Sequence, residues 1–121
     1  MVYSEMVRWI RFYNVDGFFI DEVSTSPKTY SSIYRRARSL GMYVVLNPGP
    51  TLRFFNIADK IVVFESPLEG YVISYLDYSS VAPDRVCTIV LNAPPDKVEY
   101  VVQKAAANGN RYVYIHDKAD N

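Results

Sequence analysis

Two adjacent carboxylates, Asp21 and Glu22, follow the apolar run Gly17-Phe18-Phe19-Ile20, and a third, Glu65, follows Ile61-Val62-Val63-Phe64. Asp and Glu are seldom buried without a partner, so carboxylates at the exits of apolar strands call for a reason. One reason is chemical: an acid/base site at the C-terminal rim of an α/β sheet. Strands two apart in such a sheet are separated by about 10 Å, and inward-pointing side chains from alternate barrel strands share one layer. Glu22 and Glu65 so placed would approach the spacing that glycoside hydrolysis needs, whether as nucleophile plus acid or base plus acid. The other reason is local: Asp21-Glu22 opens a loop and caps the next helix, and Glu65 caps the loop at Ser66-Pro67. The residues alone leave both open. Asp21 faces away from Glu22 in regular strand geometry, and reaches the same site only if the strand bulges or has already ended.

The remaining strand exits are also polar: Asn47, Asn92 and His116-Asp117. Ligands of parallel α/β folds collect at this edge, so these residues and nearby Tyr114 are candidate substrate-binding groups. Asn47-Pro48-Gly49 either orients hydroxyls through its amide or is simply a tight turn. Tyr30, Tyr71, Phe54 and Phe55 either stack on sugar rings or fill core and loops. Asp21, Glu22, Glu65 and Asp117 are hard oxygen ligands suited to Mg²⁺, but no phosphate-binding motif accompanies them. One His and one Cys do not make a zinc site. Ser24 with His116 and an Asp lacks the G-x-S-x-G elbow of a hydrolase triad. The expectation is a site without metal or cofactor.

The elements that must position these groups follow from the hydrophobic pattern. Ser4 to Tyr13 reads as a helix, with Met6, Val7, Ile10 and Tyr13 inward and Ser4 as N-cap. Residues 17 to 21 form a strand. Pro27 opens the next helix, which reads Tyr30 to Leu40 with Ile33, Ala37 and Leu40 on one face, and Gly41 stops it. Met42 to Leu46 is a strand that Asn47-Pro48-Gly49-Pro50 ends. A short helix is expected at Leu52–Ile57 and a strand over Lys60–Phe64. Tyr71 to Tyr78 is ambiguous. Val86 to Leu91 is a strand, Asp96 to Ala107 a helix with Val98, Val101, Val102 and Ala105 inward, and Arg111 to Ile115 the last strand. Five apolar strands alternating with helices make a βα pattern, hence parallel strands with right-handed crossovers in one α/β domain.

Thirteen basic against thirteen acidic residues give no net charge, which argues against nucleic acid as a partner. The cluster Arg35-Arg36-Ala37-Arg38 reads as a solvated helix face. Cys87 sits in an apolar run and reads as a buried structural thiol. No apolar run approaches the roughly 18 residues of a membrane span, and charges interrupt every apolar stretch of the first eleven residues, so they do not read as a signal peptide.

Gly-Phe-Phe-Ile-Asp-Glu-Val-Ser from Gly17, Val-Val-Leu-Asn-Pro-Gly from Val44 and Val-Val-Phe-Glu from Val62, in that order, resemble the spherulin-4 family. The likeness runs from about Val15 to Glu65, and more weakly to Tyr112-Val113-Tyr114-Ile115. Family members are (β/α)₈ barrels, and fungal ones are glycoside hydrolases acting on galactosamine-containing polysaccharide. The resemblance implies that Asp21 and Glu22, after the fourth barrel strand, and Glu65, after the sixth, are the catalytic acidic residues. It also implies an extracellular or cell-surface setting. Five strands against eight imply either the C-terminal part of a TIM-type barrel or an open parallel sheet. A missing N-terminal half or further copies of the chain would then complete it, since such barrels take about 250 residues. The alternative to a hydrolase is a non-catalytic carbohydrate-binding or cell-surface module, or an inactive barrel fragment, on the same scaffold.

Overall fold

The computed structural model describes residues 2–22, 26–49 and 56–119. Expectations placed on Ser24, Phe54 and Phe55, and on most of the short helix at Leu52–Ile57, lie outside the described residues. Five parallel strands alternate with helices, an α/β fold as the pattern predicts. The chain divides into two compact units, Met1–Ile61 and Val62–Asn121.

The first unit holds helix α1 (Val2–Phe12), strand β1 (Gly17–Asp21), helix α2 (Pro27–Ser39), strand β2 (Tyr43–Asn47) and the start of strand β3 (Lys60–Pro67). β1 and β2 pair in parallel from Gly17↔Tyr43 to Asp21↔Asn47. The pairing begins at a glycine because a Cβ at Gly17 would stand 2.3 Å from the Tyr43 carbonyl oxygen. Pro27 sits in the first turn of α2, where a missing N–H leaves nothing unpaired. Ile33 and Ala37 of the predicted stripe are buried, Leu40 is only half-buried, and Tyr30 joins them in the core, as do Val44 and Leu46 of β2. Each large side chain so buried contributes about 1.5–3 kcal/mol. Gly41, at φ 75°, ends the helix in the left-handed region. Helix α1 departs from its predicted face: only Met6 is buried, while Val7 and Tyr13 are exposed. Trp9 and Tyr13 instead stack on each other at 4.8 Å. The stripe is wider than this unit can cover.

Asp59 anchors the start of β3. Its Oδ2 accepts the Val44 N–H at 2.8 Å, and its Oδ1 accepts the Tyr34 hydroxyl at 2.9 Å, with the Arg38 guanidinium at 3.6 Å. Its own N–H donates to the Val44 carbonyl at 3.0 Å. The β2–β3 ladder is registered at Val45↔Lys60 and Leu46↔Ile61, so the Asp59 side chain stands in for the rung before it. Arg35, Arg36 and Arg38 are all exposed, as the solvated arginine face predicts, and Arg38 only leans toward Asp59.

The second unit holds the rest of β3, helix α3 (Leu68–Ile73), strand β4 (Val86–Leu91), helix α4 (Val98–Ala107) and strand β5 (Tyr112–Ile115). β4 and β5 pair in parallel from Cys87↔Tyr112 to Val90↔Ile115. One face of these strands packs Val90, Val113 and Ile115 on Tyr71 of α3 and Val101 of α4. The opposite face carries Val62, Ile89 and Leu91, with Cys87 only partly covered rather than in the core. Val98 and Val102, expected inward, are exposed, and Val101 and Ala105 alone are buried in α4. A 3₁₀ turn at Pro95–Lys97 replaces the predicted first helical turn and rotates the start of α4. The ambiguous segment resolves into the end of α3 and an irregular stretch from Ser74. Lys104 Nζ donates to the carbonyls of Tyr71, Val72 and Ser74, neutralising the C-terminal end of α3.

Tyr71 is fully buried. Burial first, and Tyr100 second, push its phenol up to about 12, while Asn108 pulls the other way. Neither the phenol oxygen nor the Asn108 amide nitrogen reaches hydrogen-bond geometry. The unfolded phenol ionises near 10.0 and the folded one only near about 12. The folded state therefore holds the proton longer, so this stability is intact below pH 10 and lost as pH rises through the folded value. Two pH units correspond to about 3 kcal/mol. Tyr71→Phe is expected to change stability at neutral pH by no more than about 1 kcal/mol and to flatten the alkaline decline. Urea midpoints at successive alkaline pH values check this; a variant with the full decline would overturn it.

Candidate functional site

The rim of the first unit is built by β1 and β2. Asp21 is the last residue of β1 and lies in register with Asn47, the last of β2. Glu22 adds one further rung: its N–H donates to the Asn47 carbonyl at 2.8 Å. Its backbone then turns into the left-handed region at φ 42°, which a β-carbon makes costly by about 1–3 kcal/mol. That turn sets the Glu22 carboxylate against Gly49, where an added Cβ would meet Oε1 at 3.1 Å. Gly49 itself stands at φ 77°, so glycine is required there both for conformation and for room. Asp21 and Glu22 are exposed, while Asn47 and Pro48 are buried beneath them. The structure thus brings Asp21, Glu22 and Asn47 together. Strand β1 ends at Asp21.

Glu65 lies within β3 rather than at its end, because the strand runs on to Pro67. Its facing is set by a break in alternation. Val62 packs with Ile89 and Leu91, whereas Phe64, two residues on, packs with Tyr71, Val90 and Val101. Residues two apart on a regular strand share a face, so regular alternation does not run from Val62 through to Phe64. Alternation from Phe64 turns Glu65 to the helix-free face, and its side chain is exposed to solvent.

The exits of β4 and β5 are tied into one corner. The Asn92 N–H donates to the Lys118 carbonyl at 2.7 Å, Ala93 N–H to the His116 carbonyl at 2.9 Å, and His116 N–H to the Val90 carbonyl at 2.9 Å. Asn92 follows β4 at φ 53°. Together with Glu22 it makes up the non-glycine residues of positive φ among the described residues, and both immediately follow a strand. Such strain clusters at functional sites. Lys118 N–H donates to His116 Nδ1 at 3.0 Å. The Asp117 carboxylate lies 4.0 Å from the same nitrogen, and the Tyr114 and His116 rings are 5.9 Å apart. This corner brings together Asn92, Tyr114, His116 and Asp117. Tyr30 and Tyr71, offered as rim aromatics, are core residues instead.

Among the described residues, no three of His, Cys, Asp and Glu gather to hold a metal ion, and no helix is long and apolar enough to cross a membrane. The roles of Gly49 and of the Lys118 backbone escaped the sequence. Pro48-Gly49 explains itself as a turn, and a backbone donor leaves no mark on residue type.

The family model described as Spherulin4, spherulation-specific family 4, matches residues 2–121. No curated protein matches. Among solved structures, the crystal structure of Aspergillus clavatus Sph3 in complex with GalNAc is similar, with a TM-score of 0.65 and 18% sequence identity over 95% of this chain. The chain spans 58% of the length of that structure.

Proposed function

The chain belongs to the spherulation-specific family 4, and on that premise we propose that it is the C-terminal part of a (β/α)₈ barrel that hydrolyses galactosamine-containing polysaccharide. Glu22 and Glu65 are the carboxylate pair of this reading, with Asp21 beside Glu22. One carboxyl protonates the glycosidic oxygen while the other attacks the anomeric carbon or activates water against it. Asn47, Asn92, Tyr114, His116 and Asp117 bind the sugar. The observation that carries the reading is Glu22, held in a strained backbone at a strand exit with its carboxylate over a glycine. An amino sugar is carried over from the GalNAc in the similar crystal structure, and an extracellular or cell-surface setting goes with such a substrate.

Because the chain spans 58% of that structure, further βα units complete the barrel in this reading, supplied by an N-terminal segment or by a second copy of the chain. A non-catalytic carbohydrate-binding module is the second reading, favoured by the same partial span. The deciding experiment measures solution mass and reducing-end release from a galactosamine polysaccharide on one sample. Release supports the hydrolase. Saturable glycan binding without release over a long incubation supports the module. Neither release nor binding overturns both for this chain.

A further inference from the structure

Strand β5 divides its side chains between two environments. Val113 and Ile115 pack into the cluster of Tyr71, Val90 and Val101. Tyr114 therefore projects from the opposite face, where it is 53% exposed, and His116 continues the same alternation one step beyond the strand. A half-exposed aromatic stands next to a partly buried imidazole, 5.9 Å between ring centroids and 35° between planes, so an apolar ring and a polar edge lie side by side.

The imidazole is fixed in both direction and tautomer. Its backbone is held on both sides, by the bonds from His116 N–H to Val90 and from Ala93 N–H to His116. Its Nδ1 accepts the Lys118 N–H, so the neutral ring carries its proton on Nε2. A ring so held is a donor at Nε2 and cannot accept there. Asn92 N–H on the Lys118 carbonyl locks the donor residue in turn. Such preorganisation of a polar group by its surroundings is what a recognition site requires.

We propose that Tyr114 and His116 together read one sugar ring, Tyr114 stacking on its C–H face and His116 Nε2–H donating to one of its acceptor oxygens. This rests on the carbohydrate reading above and adds the division of labour within it. The two contributions differ in what replaces them. The stack needs an aromatic ring and not the phenol hydroxyl. The directed bond needs an N–H at the Nε2 position, which glutamine supplies and phenylalanine does not.

The test titrates the chain and four variants with N-acetylgalactosamine, followed by NMR shifts, with thermal melts run alongside. His116→Phe and Tyr114→Ala are each expected to weaken binding about tenfold, while His116→Gln and Tyr114→Phe stay within about threefold of the parent. Parent binding that survives both His116→Phe and Tyr114→Ala overturns the pair and leaves the carbohydrate reading standing. Equal losses in His116→Phe and His116→Gln with lowered melting temperatures assign His116 a purely structural role and also overturn it. A parent chain that does not bind the sugar removes both the pair and the carbohydrate reading for this chain.

Discussion

Glu22→Gln is expected to lower reducing-end release by about 10²- to 10⁴-fold, the range general acid–base catalysis supplies, with no change in the melting curve. The substitution is isosteric. It keeps the Glu22 N–H on the Asn47 carbonyl, and it keeps the room that Gly49 leaves for the side chain. The left-handed backbone strains Gln as it strains Glu, so stability has little reason to move. What disappears is the ability to take up or give a proton, or to attack carbon. Glu65→Gln follows the same logic, because its exposed side chain carries no core packing. Asp21→Asn is expected to cost less, since Asp21 stands beside the proposed pair rather than in it. Release is measured on the preparation in which the parent chain is active. Full activity in both Gln variants would sink the assignment.

Asp59→Ala is expected to have the largest effect on stability, about 3 kcal/mol. Two hydrogen bonds to a carboxylate are lost, each worth about 1.5–3 kcal/mol, and the Val44 N–H is left without its acceptor. Val44 is 1% exposed, so water does not readily replace the missing oxygen. The Arg38 contact adds little, because its side chain is mostly solvated. Asp59→Asn keeps one acceptor oxygen and is expected to cost about half as much. Against a total stability of about 5–15 kcal/mol, the urea midpoint should fall markedly with an unchanged slope. A midpoint within the error of the parent would show that Tyr34 and Val44 find other partners.

The strands were legible because their apolar runs are long and β-branched or aromatic, and the fold class followed from their alternation with helices. Strand β3 is longer than the sequence suggests because the polar Glu65 and Ser66 break the apolar run, although the backbone continues. Helix α3 was unreadable in six residues containing Gly70 and two β-branched side chains. The helix faces of α1 and α4 were read too generously, since periodicity marks which residues share a side but not how much surface awaits them. The carboxylates and strand-exit amides of the candidate site were visible by residue type. Their geometry was not. Asn92 at least belongs to a residue type that tolerates positive φ, whereas nothing about a glutamate announces it. Asp59 left no signal either, because its partners Tyr34 and Val44 lie 25 and 15 residues away along the chain.

The break in alternation between Val62 and Phe64 bears on how this strand can be aligned with other strands. Before the break, the register is pinned by Lys60 and Ile61 against β2. After it, Phe64 packs on Tyr71 of α3 and Glu65 is exposed. An alignment that slides strands by hydrophobic alternation alone would match Glu65 to a residue on the wrong face, or move it one position along the chain.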